Sequence, residues 1–377
     1  MNPSPLVEPT AATSSATRAG SVAQPGGRLL SLDVFRGFTM FWLLGGKSFA
    51  VAVAAMAGLD FVTYQLAHSA WTGLRYYDVI WPSFMLMVGV SIPFSLSKVS
   101  TAQGRRAFLW STLRRASVLF LLGSLRETLH DGVPRLVELS SALQPIAIAY
   151  LISSCLAWHS MRVRIGVAMG ILAGYAALLA WVPAAGIPAG TYELNRNLVT
   201  AVDQAVLGRA HKDGWGTVLT IIPTIATTLL GLVLGQVLRQ ERSRTSKLAV
   251  LTLTGLGCLL VGLALSPVVP VIMKLWTTSY GLMSAGWACL LFALFFWIVE
   301  VQGWRRWSFP LVVIGVNALV AYLMPTLLPV RKVAGILTAS TAKELGTFGA
   351  VLTTGTAILA GWLLLWWMYR RKLFLRA

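Results

Sequence analysis

The sequence predicts an all-α, polytopic transmembrane helical bundle, and three observations carry that expectation. Hydrophobic residues make up 56% of 377 positions and charged residues only 12%, with a mean hydropathy of +0.72; a soluble globule of this size has a far more polar surface. The apolar residues are gathered into runs of about twenty, the length a helix needs to cross a bilayer core. The formal charge of +18 is split into short Lys/Arg clusters between those runs, the positive-inside pattern, and forms no basic patch for nucleic acid.

The segments follow in order. Residues 1–27 are small, polar and punctuated by proline, with no charged stretch leading into an apolar one; they are expected to be a disordered tail and not a signal peptide. Residues 28–377 form a single transmembrane domain of about ten spans, near 34–55, 78–97, 107–126, 140–158, 164–182, 217–238, 248–266, 277–300, 308–328 and 346–369. Helices are the expected form, since an open sheet leaves backbone groups unsatisfied in lipid. With the N-terminus inside, the inner loops and ends receive nineteen Lys and Arg and the outer loops ten, leaving aside Arg18 and Lys47. Both termini are therefore expected in the cytoplasm, in a multi-pass protein of the cytoplasmic (inner) membrane. Cys155, Cys258 and Cys289 lie in apolar segments as small core residues, and no metal site is expected.

The expected outer loops hold most of the acids and His68, His130 and His211, which gathers the titratable groups on that side. Residues 183–216 are long for a helix connection and read equally as a lid or a solvated linker. No internal repeat supports an inverted-repeat transporter.

One stretch stands out. His68 and a small-residue turn lead into an apolar span with Asp78 at its start and Pro82 one turn later. Ionisable groups at a membrane border are costly and are functional candidates. Neutral imidazole can take a proton from an attacking group, or carry an acyl group itself. Ten residues of unbroken helix would hold His68 and Asp78 about 15 Å apart. Contact therefore requires the chain to turn back at Thr72-Gly73, which glycine permits. Asp78 either orients His68 or pairs with Lys47, which lies about 21 Å along its helix from Asp33 and so at similar depth.

The arrangement His68-x-x-Trp71-x-Gly73, then Asp78 and Pro82, resembles the heparan-α-glucosaminide N-acetyltransferase family. Further similarity lies in Arg28-Leu-Leu-Ser-Leu-Asp33-Val-Phe-Arg36-Gly37, Leu143-Gln-Pro-Ile-Ala, Asp213-Gly-Trp-Gly with Ile222-Pro-Thr-Ile-Ala, Lys274-Leu-Trp, and Gly315-Val-Asn317-Ala-Leu-Val-Ala-Tyr322. The resemblance implies a transmembrane acetyltransferase that uses acetyl-CoA as co-substrate, with His68 as the catalytic histidine. It departs from the family at Lys47, where asparagine is usual, and at Pro145, where arginine is usual, so the acceptor is not carried over from heparan sulfate.

A coenzyme A donor needs cations for its phosphates. Arg36, Arg106, Arg114 and Arg115, near the inner ends of the first and third spans, are candidates, and ordinary topogenic charge explains each of them too. Lys47 is as good a candidate for acceptor binding as for the ion pair. Trp71 and Trp81 suit a sugar platform or an aromatic belt, and Asn317 suits the site or a helix–helix hydrogen bond. The expected partners are the lipid bilayer, acetyl-CoA and an extracytoplasmic sugar or glycan; a homodimer stays open. The competing expectation is a proton-coupled transporter or flippase for a sugar or lipid-linked intermediate, with His68, Asp78 and Lys47 as its relay. A scaffolding protein would leave that polar set unexplained.

Overall fold

The computed structural model describes residues 29–96, 102–134, 139 and 141–375, and the tail expected over 1–27 lies outside them. Helix α1 (Leu30–Phe41) runs through a π-helical turn, Trp42–Gly46, into α2 (Lys47–Met56), and α3 (Asp60–Gln65) follows. A 3₁₀ turn at Tyr76–Val79 opens α4 (Ile80–Leu96), then come α5 (Ala102–Asp131), α6 (Leu143–Leu156) and α7 (Met161–Trp181). The 183–216 segment folds into a two-stranded hairpin, β1 (Tyr192–Glu193) with β2 (Arg196–Asn197), and α8 (Leu198–Leu207). Asn197 starts α8 by accepting the Thr200 N–H at 2.9 Å. The chain continues through α9 (Ile221–Arg239), α10 (Arg244–Leu265), α11 (Thr278–Phe296), α12 (Phe309–Val316), α13 (Ala318–Leu327), α14 (Val330–Glu344) and α15 (Thr347–Arg370).

Among the described residues, seven helices are long and apolar enough to cross a membrane, or eight if α12 and α13, bent by 64°, count as one span. The chain is thus a multi-pass helical membrane protein in architecture. The two other expected spans fall on α5, long enough at 30 residues but interrupted by arginines, and on α6, which has only 14. Helix α14 was not expected: basic residues near both its ends mask a middle that exposes Ile336 and Leu337. Of the cysteines, Cys289 is buried as expected, but Cys155 is exposed on α6.

The bundle centre is an aromatic stack, with Phe35 of α1 lying 5.6 Å from Phe292 of α11 at an interplanar angle of 9°. Backbone contact between α4 and α9 adds to it: a Cβ on Gly231 would sit 2.1 Å from the Leu86 carbonyl oxygen, and one on Gly89 would sit 2.0 Å from that of Thr228. Small residues drive this approach in lipid, where there is no hydrophobic force between helices and dispersion does the work. Arg164, almost fully buried, closes the end of α6 by donating to the carbonyls of Ala157 and His159 at 2.6 and 2.7 Å.

Candidate active site

At the end of the bundle where α4 and α9 begin, four loops converge on one turn. Gly73 donates its N–H to the Val271 carbonyl at 2.8 Å, Thr72 bridges to Ile272, and the Trp71 indole N–H reaches the Tyr192 carbonyl at 2.8 Å. Gly73 takes φ +104°, a conformation that L side chains rarely adopt. The chain therefore folds back, and His68 Nδ1 comes within 2.8 Å of Asp78 Oδ1.

Asp78 is fully buried and its carboxylate is well occupied. Its second oxygen accepts the N–H groups of Arg75 at 3.0 Å and Ser69 at 3.3 Å, in the manner of a capping residue three positions into a helix. Tyr280 of α11 donates its hydroxyl to the Asp78 carbonyl at 2.7 Å, and Arg75 donates to the His68 carbonyl at 2.9 Å. A carboxylate at Nδ1 places the ring proton there and leaves the lone pair on Nε2. The His68 side chain is 37% exposed and meets the edges of Tyr77 and Trp215, 4.9 and 5.5 Å away between ring centroids.

His68 opens onto a cavity of 1090 Å³. Its lining includes Arg126, Glu127 and His130 from the last turns of α5, Asp203 and Leu207 of α8, and Arg209 to Asp213 with Trp215 to Thr217 from the loop beyond α8. Its deeper wall is apolar, with Met40, Phe84, Val88, Leu119 and Leu319, and Pro145 stands in it as well. Arg126 pairs with Glu127 and lies 4.9 Å from the Tyr322 ring. The Asp203 carboxylate accepts the N–H groups of Thr217 and Val218, both at 2.9 Å, and burial still pushes its pKa above the ordinary carboxylate range.

The other expected residues are placed as follows. Lys47 makes no hydrogen-bonded pair with Asp78, although the carboxylate's charge reaches it; its ammonium lies 4.2 Å over the ring of Tyr77, itself a lining residue of the cavity. Trp71 is not on the cavity; it packs against Gly214 and helps hold the loops together, while Trp215 lies beside His68. Arg36 donates to Asp33 at 3.3 Å and Ser91 at 2.8 Å. Arg106 and Arg114 are exposed on α5 and Arg115 is half-buried, and none of the four arginines lines the cavity. Asn317, at the bend between α12 and α13, is fully buried with both amide atoms unpartnered, so it makes no helix–helix hydrogen bond. Among the described residues, no three His, Cys, Asp or Glu side chains are grouped to hold a metal.

Sequence reasoning missed Trp215, Tyr77 and the Arg126–Glu127 pair. Trp215 sits in a quoted motif, Asp213-Gly-Trp-Gly, but nothing in the sequence ties it to a histidine far upstream. No family model matches the chain, and no curated protein matches it.

Proposed function

We propose that the protein is an integral membrane acetyltransferase, moving an acetyl group from cytosolic acetyl-CoA to an amino sugar or glycan on the far side of the cytoplasmic membrane. One observation carries this reading: a half-exposed His68 whose Nδ1 is held by a fully buried carboxylate faces a cavity large enough for two substrates. In the reaction, Nε2 takes the proton as the acceptor's amine or hydroxyl attacks the thioester carbonyl. The C–S bond breaks, and the departing thiolate collects that proton from Nε2. Asp78 keeps the ring in the required tautomer and steadies the imidazolium.

The donor's route is supported by helical spacing. Met40 and Leu119, on the deep apolar wall, stand four residues beyond Arg36 and Arg115, a rise of about 6 Å each. The pantetheine arm thus fits the apolar section while the phosphates stay with arginines near the opposite face, Arg106 and Arg114 among them. In this reading the inner ends, both termini and about ten spans have the expected orientation, with α5 and α6 as the two spans that fail on charge or length.

The rival is a proton-coupled transporter, in which Lys47, over the Tyr77 ring and within reach of the Asp78 charge, would join the relay. Purified protein should slowly release free thiol from acetyl-CoA, with the release lost in His68→Ala. Proton-coupled uptake of sugar without thiol release would overturn the enzyme reading in favour of the transporter.

A further inference from the structure

The turn between α10 and α11 takes no part in the chemistry above, yet both loops of the site hang from it. Val271 accepts the Gly73 N–H at 2.8 Å and Lys274 accepts the Gly216 N–H at 2.9 Å, so one short segment holds the His68 turn and the stretch carrying Trp215. The turn is itself tightly fixed. Thr277 donates its hydroxyl to the Pro270 carbonyl at 2.8 Å and accepts the Ile272 N–H at 3.0 Å, while Tyr175 donates to the Leu275 carbonyl at 2.7 Å. Trp276 is buried, with its ring nearly perpendicular to that of Trp81 at 4.8 Å, and takes φ +47°, a region that bulky L residues rarely adopt. Such strain persists where the surroundings over-determine it, and it gathers at functional sites.

Lys274 stands at the edge of this turn, half-buried. Its ammonium donates to the Asp213 carbonyl at 2.8 Å and lies 6.0 and 5.9 Å from the ring centroids of Trp71 and Trp215. Lys274 therefore grips the 213–216 stretch at both ends, by side chain at Asp213 and by backbone at Gly216, with Trp215 between the two holds. The Trp215 ring in turn stands 5.5 Å from that of His68, nearly perpendicular to it. Because Thr277, Tyr175 and Trp276 fix the turn without the ammonium, that charge serves the loop and not the fold.

We infer that Lys274 is a positioning residue for the His68 site, acting through Trp215: its ammonium holds the 213–216 stretch so that the indole stands against the imidazole and limits how far that ring opens. The inference rests on the acetyltransferase reading only for its consequence, which is to keep Nε2 turned toward the substrates. Its test uses no acetyl-CoA. Diethyl pyrocarbonate modifies accessible imidazole, and peptide mass spectrometry reads the rate at His68 in the full-length protein in detergent. Lys274→Met keeps the apolar stem and removes the ammonium; the rate at His68 should rise about twofold or more, since a lost hydrogen bond to a charged group lets the stretch open. Lys274→Arg restores a cationic donor and should return the rate toward wild type. Asn195 donates to the Lys212 carbonyl at 3.2 Å, so Asn195→Ala loosens the same loop without touching the holds on Trp215 and should leave His68 unchanged.

Trp215→Ala should raise the rate by itself, and adding Lys274→Met should then change it no further, as befits residues acting through one another. A wild-type rate in Lys274→Met overturns the inference, as does an equal rise in Asn195→Ala or an undiminished effect of Lys274→Met in the Trp215→Ala protein. A Lys274→Met protein that does not fold overturns it too, because the turn would then depend on the ammonium. Thiol release measured separately judges the acetyltransferase reading, so the two can fail independently.

Discussion

Nδ1 of His68 and Oδ1 of Asp78 are 2.8 Å apart although ten residues separate them, and Gly73 at φ +104° makes that approach possible. Replacing Asp78 by asparagine keeps the shape but removes one of the acceptors that His68, Ser69 and Arg75 share. Asp78→Asn should cost about 1–3 kcal/mol of stability, seen as a lower Tm in detergent. It should also reduce thiol release from acetyl-CoA by putting an amide where the Nδ1 proton needs a carboxylate. For His68→Ala, a loss of about 10²-fold or more in transfer is expected with acetyl-CoA affinity retained. A variant transferring at the wild-type rate would sink the mechanism.

Gly73 tests the turn itself. Nothing lies within 4 Å of a Cβ built there, so the penalty of Gly73→Ala is purely that of backbone conformation. About 1–3 kcal/mol is expected, with acetyl transfer falling as His68 and Asp78 separate. Gly257 on α10 has equally open space but helical geometry, so Gly257→Ala should be neutral or mildly stabilising. Equal behaviour of the two variants would show that the turn is not strained.

The donor arginines are tested by binding. If Arg36 and Arg115 hold the coenzyme's phosphates, alanine at either position should weaken acetyl-CoA by about 1.5–3 kcal/mol, and dephospho-coenzyme A should distinguish wild type from variant less well. Unchanged affinity in both would return them to setting topology.

Sidedness is read by labelling. In a cysteine-free protein in intact cells, Glu193→Cys should react with an impermeant thiol reagent and Glu241→Cys should not, both positions being exposed. The reverse pattern would put His68 on the cytoplasmic side.

Asp203 supplies a pH test. Burial raises its folded-state pKa, so the folded state favours the protonated form. Its contribution to stability is complete below the unfolded carboxylate pKa and is lost as pH rises through the raised folded value. The neutral amide of Asp203→Asn escapes this loss. The Tm difference, variant minus wild type, should therefore be more positive at pH 7.5 than at about pH 4; a difference that becomes more negative would contradict the burial effect.

Much of the architecture was legible because apolar runs of span length have few alternatives to helices in lipid. The reach from His68 to Asp78 was legible in part, since Gly73 between them permits the reversal that the contact needs. What the sequence could not show was pairing between distant segments. Lys47 feels the charge of Asp78, yet its ammonium sits over the Tyr77 ring, while His68, Ser69 and Arg75 supply the carboxylate's hydrogen bonds. Trp71 lost its expected place on the cavity for the same reason: the Tyr192 carbonyl draws it into the loop network, a contact that spans 121 residues, and Trp215, of which nothing was expected, stands beside His68 instead. Helix α14 escaped notice because its charges hide a short apolar face.

The glycine contact between α4 and α9 also limits how the molecule can move. His68 and Asp78 precede α4, and Trp215 precedes α9, so the two sides of the candidate site are mounted on helices whose backbones touch near Gly89 and Gly231. Sliding one against the other would drive a Cα into a carbonyl oxygen, which makes this half of the protein a fixed jaw. In the proposed transfer, any opening of the cavity would then fall to α5 and α13, where Arg126 and Tyr322 stand and where the span already breaks at Asn317.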